Sequence, residues 1–487
     1  MTLRENMNMI KKNILLSAVL LATLSSCGIY TRYQPISDVP KNLFGEDSLT
    51  IEASDSISLG AMDWHDFFTD KLLQDYIERG LAQNTDYQSA MLKVEEASAT
   101  LKAAKLAFLP AFALAPQAGV SSFDNAKAIQ TYSVPITMSW EIDIFGRMRN
   151  AKEQAKALYA KSQDYQQAVR TQLIANIANT YYAIETLREQ LSLSQQTEEA
   201  WQETLKTARV LMKVGRYDEA GINQMEATLH QVHTSVLDLQ SQITQTENAM
   251  SILLGETPQH YATANVSASK QDSTSFNAIT PNGNKALGIA LPERFSIGVP
   301  LDMLSARPDV RQAQRSVEAA FYGVNQARSA FYPSLTLSGS VGWTNNSGAM
   351  IVNPGRLLAS ALGSLTAPIL TRGQNEAQLK IAKAQQEEAK LAFTQTLLNA
   401  GKEVNDALTT YQTAKDKHAS ISAEVTSLEK ALHNTTLMME HGNNTYLEIL
   451  TARQSLLSAQ LSQSANNLSL VQSLINLYQA LGGGQGK

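Results

Sequence analysis

The sequence predicts a mainly α-helical fold with a transmembrane β-barrel part, built from a duplicated helix–strand–strand–long helix–helix repeat. Three observations predict it: two parts of the 487-residue chain align with each other, two long stretches almost lack glycine and proline, and period-two stretches lie between the helices. The composition excludes other classes. A net charge of −5 provides no basic footprint for nucleic acid, and one cysteine allows neither an intramolecular disulfide nor a cysteine-based zinc site.

The first residues are typical of a bacterial export signal. A basic start precedes a short apolar stretch at 14–24, which is too short to span a membrane as a helix. Small residues then precede Cys27, as in a lipobox, so we predict a lipoprotein signal peptide over 1–26 and a covalent lipid on Cys27. An ordinary signal with an incidental cysteine is the alternative. The mature chain would therefore be anchored outside the cytoplasm.

The mature chain is predicted to be a duplication. Residues 84–110 align without gaps on residues 307–333, a shift of 223. From Gly146, which matches Gly373, the shift becomes 227 and continues to the end of the chain. Matched glycines and prolines argue against a chance alignment of alanine-rich helices, so we expect two structural repeats.

The duplication divides the chain into predicted regions. They are a signal peptide (1–26), a lipid-anchored N-terminal segment and equatorial region (27–83), repeat 1 (84–255), an inter-repeat equatorial segment (256–301), repeat 2 (302–482) and a flexible tail (483–487). Repeat 1 is expected to contain a helix at 84–108, strands at about 111–143, a long helix at 147–214 and a helix at 216–254. Repeat 2 is expected to contain strands at about 334–343 and 357–370, a long helix at 374–441 and a helix at 444–481. At 1.5 Å per residue, each long helix would extend about 100 Å.

The long helices carry an apolar seam at alternating spacings of three and four residues, as at Val404, Leu408 and Tyr411. A 3.5-residue period keeps one stripe against a neighbouring helix. A second stripe beside the first, which includes Ile174 and Ala178, predicts neighbours on two sides, as in a ring of helices. An ordinary long bundle is the alternative.

The stretches between the helices alternate apolar and small polar residues, most clearly at 132–142 and 335–343. Each is about ten residues long, which is the length that a tilted strand needs to cross a bilayer. Tyr132, Trp140 and Trp343 lie near the ends, where membrane interfaces favour aromatic side chains. The pattern therefore predicts membrane-crossing strands, and a soluble β-sandwich is the alternative.

Four such strands cannot close on themselves. Open sheet edges in lipid would leave unpaired backbone N–H and C=O groups, which are costly there. We therefore expect other copies of the chain to complete the sheet. Four strands per chain allow barrels of eight, twelve or sixteen strands.

With these features the chain resembles the TolC-like outer-membrane efflux factors, in their lipidated NodT-type branch. The resemblance is carried by the lipobox at Cys27, by Trp140-Glu141-Ile142-Asp143-Ile144-Phe145-Gly146-Arg147, and by the run Val299–Val310. It implies a homotrimer with a 12-stranded outer-membrane β-barrel joined to a periplasmic α-helical barrel. It also implies a passive exit duct that works with a periplasmic adaptor (membrane fusion) protein and an inner-membrane pump, commonly a proton-driven one.

The family closes its periplasmic tip with helix–turn–helix ends, which fall here at Gly215 and Gly442. The resemblance assigns Glu448, six positions after Gly442, to an acidic ring at the closed entrance. A second acidic position of the family is Thr451 here, so fewer acidic rings are expected. Links that hold the tip shut are expected from the other gate candidates, Arg216, Asp218, Glu219, Asn443, Asn444 and Tyr446. The alternative is that these are solvated turn residues.

No catalytic chemistry is predicted. His230 and His233 share a helix face but lack the arrangement of a zinc peptidase, and the glycine-rich end of the chain lacks the spacing of a phosphate loop. We expect no enzyme activity, no metal and no cofactor apart from the lipid on Cys27. The predicted function is an outer-membrane channel in a tripartite efflux system. The alternative is a non-conducting structural or adhesive coiled-coil lipoprotein of the outer membrane.

Overall fold

The computed structural model describes residues 32–35, 62–122, 124, 128–215, 217–263, 307–345, 356–440 and 446–484. Cys27 and four predicted tip residues, Arg216, Gly442, Asn443 and Asn444, lie outside these ranges. The described part of the chain contains eight helices and five strands. In chain order they are α1 (Trp64–Phe67), α2 (Lys71–Gln83), α3 (Thr85–Leu106), β1 (Ala111–Leu114), β2 (Gln117–Ser121), β3 (Ile129–Ile142), α4 (Arg147–Lys213), α5 (Glu219–Leu254), α6 (Pro308–Ser329), β4 (Ser334–Asn345), β5 (Arg356–Thr366), α7 (Gln374–Glu440) and α8 (Tyr446–Ala480).

The long helices α4 and α7 contain 67 residues each. Helix α4 ends one residue before the predicted position, and the predicted end of α7, residue 441, lies outside the described residues. After α4, Gly215 adopts a left-handed φ of +73° and its N–H donates to the Met212 carbonyl at 2.9 Å. Glycine enters this conformation without the Cβ penalty of other residues, so it ends the helix.

The second helix of repeat 1 starts later than predicted. Helix α5 begins at Glu219 and not at 216, because Asp218 is its N-cap: the Asp218 carboxylate accepts a hydrogen bond from the Gly221 N–H at 2.6 Å. Helix α8 begins at Tyr446, and the predicted start at 444 lies outside the described residues. Helix α3 covers Thr85–Leu106, within the predicted 84–108.

Two strand predictions need correction. The first predicted strand is interrupted at Ala115–Pro116 and forms two short strands, β1 and β2. Strand β5 ends at Thr366 and not at 370, and Pro368 in the missing part has no N–H to donate to a sheet.

Two residues of the predicted flexible tail, Gly483 and Gly484, are held by hydrogen bonds. The Gly484 N–H donates to the Tyr478 hydroxyl at 2.7 Å, and the Gln167 amide donates to the Gly484 carbonyl at 3.0 Å. Gly483 N–H donates to the Tyr478 carbonyl at 2.9 Å. These three bonds fix residues that composition alone marked as a tail.

The chain divides into two compact units. One contains residues 96–161 and 313–393, which include all five strands; a small core of Val324, Ala327 and Ala382 packs beside Leu379. The other contains most of the helices. Its helix seams are buried as the spacing predicted: Val404 is fully covered and Tyr411 packs on the Ala414, Leu470 and Leu474 cluster.

The helical unit also holds the short N-terminal helices. The Phe67 ring stacks on the Tyr478 ring with centroids 4.2 Å apart, and the Tyr478 hydroxyl donates to the Met62 carbonyl at 2.9 Å. The described helices include none with an apolar stretch long enough to cross a membrane.

Candidate functional site: an amphipathic sheet and a helical tip

The strands form one antiparallel sheet in the order β1–β3–β4–β5, in which β2 also pairs with β3. In the central pair, Tyr132 lies opposite Asn345 and Ile142 lies opposite Leu335. The register matters because directly opposed residues share one face of a sheet and neighbours along a strand lie on opposite faces. It therefore assigns every strand residue to one of two faces.

One face is continuously apolar. In one row across the sheet, Leu114 lies opposite Ile136, and Ile136 lies opposite Val341. In another row, Val134 lies opposite Trp343, which lies opposite Leu357. The exposed apolar residues of this face are Phe112, Leu114, Val120, Val134, Ile136, Val341, Trp343, Leu357 and Leu365. So much exposed apolar surface on one face is typical of contact with lipid.

The other face carries small hydroxyl residues. Thr137 lies opposite Ser340, and the Ser340 hydroxyl lies 2.8 Å from the Ser360 hydroxyl on the next strand. The further hydroxyl residues of this face are Ser121, Thr131, Ser133, Ser139, Ser334, Thr336, Ser338, Thr344, Ser364 and Thr366. Two residues of β5, Leu358 and Leu362, break this pattern. Sequence alternation could not place them, because in β5 leucines occur on both faces.

Aromatic residues lie at both ends of the apolar face. Trp140 is near the end where the strands lead into helices, and its indole N–H donates to the Phe108 carbonyl at 2.9 Å. Tyr132 lies eight residues away along β3, about 27 Å at the rise of a strand. The apolar band of a membrane β-barrel is about 25 Å tall, so the spacing fits aromatic residues at two interfaces.

The motif after β3 forms the junction with the long helix. The two carboxylate oxygens of Asp143 accept hydrogen bonds from the Met148 N–H at 3.0 Å and the Arg149 N–H at 2.8 Å, which satisfies free donors at the start of α4. Gly146 provides a left-handed turn with a φ of +71°. The Arg147 guanidinium pairs with Glu141 at 2.5 Å. The motif therefore converts a strand into a helix within a few residues.

Both edges of the sheet are unpaired in the described residues. Strands β1 and β2 pair only with β3, and β5 pairs only with β4. Each edge presents a row of free backbone N–H and C=O groups. These groups need partners wherever the apolar face is in lipid.

The helical unit contains the described part of the predicted tip. Three residues after Gly215, Asp218 caps α5, and the exposed Glu219 is the first residue of that helix. The first turn of α8 contains the exposed Glu448. Tyr446 begins α8.

A small apolar core holds the tip helices together. Trp201, Leu205 and Ala208 of α4 pack with Ile222 and Met225 of α5 and with Leu450 of α8. Leu450 lies two residues after Glu448, so the position of the carboxylate depends on this packing. Sequence periodicity did not identify this contact between α4 and α8, because the two helices are distant along the chain.

Two charged groups near these helices were not predicted. Burial lowers the pKa of Arg453, partly opposed by the charge of Glu203, and the Arg453 Nε is buried without a hydrogen-bond partner among the described residues. Burial also raises the pKa of Glu189, although its carboxylate accepts a hydrogen bond from the Ser464 hydroxyl at 2.6 Å. No sequence motif marks either group, because both depend on contacts between distant segments.

A third unpredicted cluster surrounds Glu247, which is 2% exposed. Its carboxylate lies 2.6 Å from the Arg188 guanidinium and 2.6 Å from the His260 Nδ1. Arg188 also donates to the Tyr261 carbonyl at 2.6 Å, so the charged pair fixes the segment after α5. We therefore interpret this cluster as a structural link between α4, α5 and the segment after α5.

Metal ligation has no candidate group in the described ranges, since no three His, Cys, Asp or Glu side chains are clustered there. His233 Nδ1 lies 2.8 Å from the Glu198 carboxylate on the neighbouring helix.

Comparisons with known proteins agree with this architecture. The model of the family described as outer membrane efflux protein matches residues 76–256 and 299–483. The cation efflux system protein CusC of Escherichia coli strain K12 is 26% identical over 470 residues, which cover 95% of this chain and 97% of CusC. The probable outer membrane lipoprotein SilC of Salmonella typhimurium is 24% identical over 96% of this chain and 98% of SilC.

A solved structure is similar over nearly the whole chain. The open state of the Neisseria gonorrhoeae MtrE outer membrane channel superposes with a TM-score of 0.80 at 26% identity and covers 93% of this chain and 98% of MtrE. The predicted fold class, long helices combined with a strand-built membrane part, is thereby confirmed.

Proposed function

The chain belongs to the outer membrane efflux protein family, and we propose that it forms, as a homotrimer, the passive outer-membrane channel of a tripartite efflux system. Its strands lie in the outer membrane and its long helices extend into the periplasm. Solutes reach it from an inner-membrane pump, most simply a proton-driven one, through a periplasmic adaptor protein. No step of this role requires catalysis or a metal.

One observation supports this function most directly: the sheet is apolar on one face, hydroxyl-lined on the other, and open at both edges. An apolar face suits lipid, and a hydroxyl-lined face suits a water-filled lumen. Three copies, joined edge to edge, would pair the free backbone groups and close a barrel of twelve strands.

The second candidate is a non-conducting scaffold or adhesin that presents long helices on the membrane. The lipid anchor and the helices alone would suffice for it. The hydroxyl-lined face of the sheet favours the channel, because a scaffold has no use for a polar inner surface.

Conductance separates the two candidates. The protein, extracted in detergent from outer membranes, is added to a planar lipid bilayer and single-channel currents are recorded. A channel gives discrete current steps. Trimers that insert without any current would contradict the channel and favour the scaffold.

We propose that Cys27 carries the lipid that anchors the mature N-terminus. The support is its position directly after an apolar signal stretch and small residues, and the relative SilC is named an outer membrane lipoprotein. Growth with radiolabelled palmitate tests it. Label should enter the natural chain and be absent from the Cys27→Ser variant.

We propose that Glu448 lines the closed entrance of the duct and that Asp218, Glu219, Arg216, Asn443, Asn444 and Tyr446 contribute to the links around it. The glycines Gly215 and Gly442 would mark the two turns. The exposure of Glu448 at the start of α8 and its anchorage through Leu450 support this assignment.

A further inference from the structure

The two hairpins of the sheet pair in the same register once the repeat shifts are applied. Ala111 lies opposite Ser139 in the first hairpin, and Ser334 lies opposite Thr366 in the second. The equivalent positions differ by 223 on the first strand and by 227 on the second. The shift therefore changes between residues 121 and 129 of repeat 1 and between 344 and 356 of repeat 2.

Strand β3 is longer than its equivalent β5 for a visible reason. Trp140, Glu141 and Ile142 lie beyond the pairing with β1 and are in the strand because they pair with β4. The equivalent residues of repeat 2 are Ala367, Pro368 and Ile369. They lie outside β5, and Ile369 is 97% exposed. In repeat 1 the end of β3 is paired with β4, whereas among the described residues no strand is paired with the equivalent end of β5.

The duplication indicates which strands should pair with the free edge of β5. The contact of β3 with β4 joins the second strand of repeat 1 to the first strand of repeat 2. Its counterpart would join β5 to β1 and β2. Within one chain these strands stand at opposite edges of the sheet, about 14 Å apart over three strand spacings, so they cannot pair there.

We propose that β5 of one chain pairs with β1 and β2 of a second copy in the register that the repeat shifts dictate. This inference rests on the proposed trimer and specifies its interface. Thr137 lies opposite Ser340 within the chain. The repeat equivalent of Thr137 is Ser364, and that of Ser340 is Gln117, so Ser364 should lie opposite Gln117 of the second copy. In the same way, the pair Ser133 and Thr344 predicts that Ser360 lies opposite Ser121 of the second copy. The pair Ile142 and Leu335 predicts that Ile369 lies opposite Phe112.

The proposed register continues the two faces of the sheet from one copy to the next. Ser364 and Gln117 both lie on the hydroxyl-lined face, and so do Ser360 and Ser121. Phe112, which is 66% exposed, lies on the apolar face and meets the exposed Ile369. A slip by one residue would bring each apolar row against a polar row, so the faces select this register over its neighbours.

Cysteine cross-linking in the full-length protein tests the register with four positions. The two matched pairs are Gln117→Cys with Ser364→Cys, and Ser121→Cys with Ser360→Cys. The two exchanged pairs, Gln117→Cys with Ser360→Cys and Ser121→Cys with Ser364→Cys, contain the same substitutions and serve as controls. Opposed Cα atoms lie about 4.5–5.5 Å apart, whereas a four-residue offset adds about 13 Å, beyond the reach of a disulfide.

Outer membranes are oxidised mildly, and the products are separated without reductant. The matched pairs should run as covalent trimers and the exchanged pairs as single chains. Trimers from the exchanged pairs, or no trimers from either matched pair, would overturn the register. The mass of the same proteins in detergent separates the two proposals: single chains refute the trimer itself, whereas intact trimers without matched cross-links refute only the register.

Discussion

Gly342 lies opposite Pro135 in the central strand pair, and a Cβ on Gly342 would come within 2.3 Å of the Pro135 Cα. Proline is unusual inside a sheet because it donates no backbone hydrogen bond. The Pro135 carbonyl accepts from the Ala115 N–H at 3.0 Å, so its donor-free side faces the interruption between β1 and β2. The close approach of Gly342 and the interruption between β1 and β2 therefore both occur beside Pro135, on opposite sides of β3.

Replacement of Gly342 by alanine should destabilise the sheet. The new methyl group would also lie 2.4 Å from the Val134 carbonyl oxygen, so the two strands must separate. We expect a loss of about 1–3 kcal/mol, the usual cost of overpacking. The thermal midpoint of the detergent-extracted protein measures it. Gly363→Ala is the control, because the nearest atom to its new methyl group would be a side-chain methyl of Leu337 at 3.4 Å. Equal midpoints for the two variants would contradict the account.

The sequence predicted the repeats through the alignment of its two halves, the long helices through stretches that almost lack glycine and proline, and the two most regular strands through their period of two. It did not predict the division of the first strand at Ala115–Pro116 or the leucines on the hydroxyl-lined face of β5. Both depend on the neighbouring strand: Pro135 lies opposite the first, and Gly342 and Ser338 lie opposite the second. Cross-strand partners are distant in sequence, so no local pattern reveals them.

Glu189 should make the stability of the helical unit depend on pH. Burial raises the pKa of its carboxyl above the ordinary value of 4.5, so the neutral form is favoured in the folded protein. Its contribution is therefore most favourable below 4.5 and is lost as the pH rises through the folded-state pKa. Glu189→Gln should raise the thermal midpoint at neutral pH and have little effect near pH 4. An equal effect at both pH values would contradict this assignment.

The Ser464 hydroxyl provides the matched variant for Glu189. Ser464→Ala removes a hydrogen bond that stabilises the charged carboxylate, so the pKa of Glu189 should rise further. The variant should therefore lose more stability at neutral pH than near pH 4. In the Glu189→Gln background this pH dependence should disappear.

Asp218 can be tested as a helix cap separately from any role in the gate. Asp218→Ala removes the acceptor for the Gly221 N–H and should cost about 0.5–2 kcal/mol locally. Hydrogen exchange of the amides at 219–222 should accelerate. Asp218→Asn keeps an acceptor and removes the charge, so it should leave exchange unchanged while altering conductance if the charge holds the tip shut. Equal exchange in the Ala variant and the natural protein would refute the cap.

Glu448 tests the predicted entrance. In a closed trimer, Glu448→Ala removes one carboxylate per chain from the ring, and we expect higher single-channel conductance and greater sensitivity of cells to antibiotics. Glu388→Ala, an exposed carboxylate on α7, controls for the general loss of negative charge. If both variants behave as the natural protein does, Glu448 does not belong to the gate.

For the residues of the tip, the family resemblance predicted functional roles that no local sequence pattern indicates. Glycine spacing marked the turn at Gly215, whose left-handed φ the structure shows. The roles of Glu448 and Asp218 came from the resemblance and remain predictions. The buried Glu247–Arg188 pair could not be anticipated either way, because its members are separated along the chain and belong to no motif.

The most direct test of the central claim is the mass of the intact complex in detergent, measured by native mass spectrometry on protein extracted from outer membranes. A sheet with two free edges and a lipid-facing surface requires partners, so we predict a complex of three acylated mature chains. A stable monomer, with its sheet edges unpaired, would contradict this prediction.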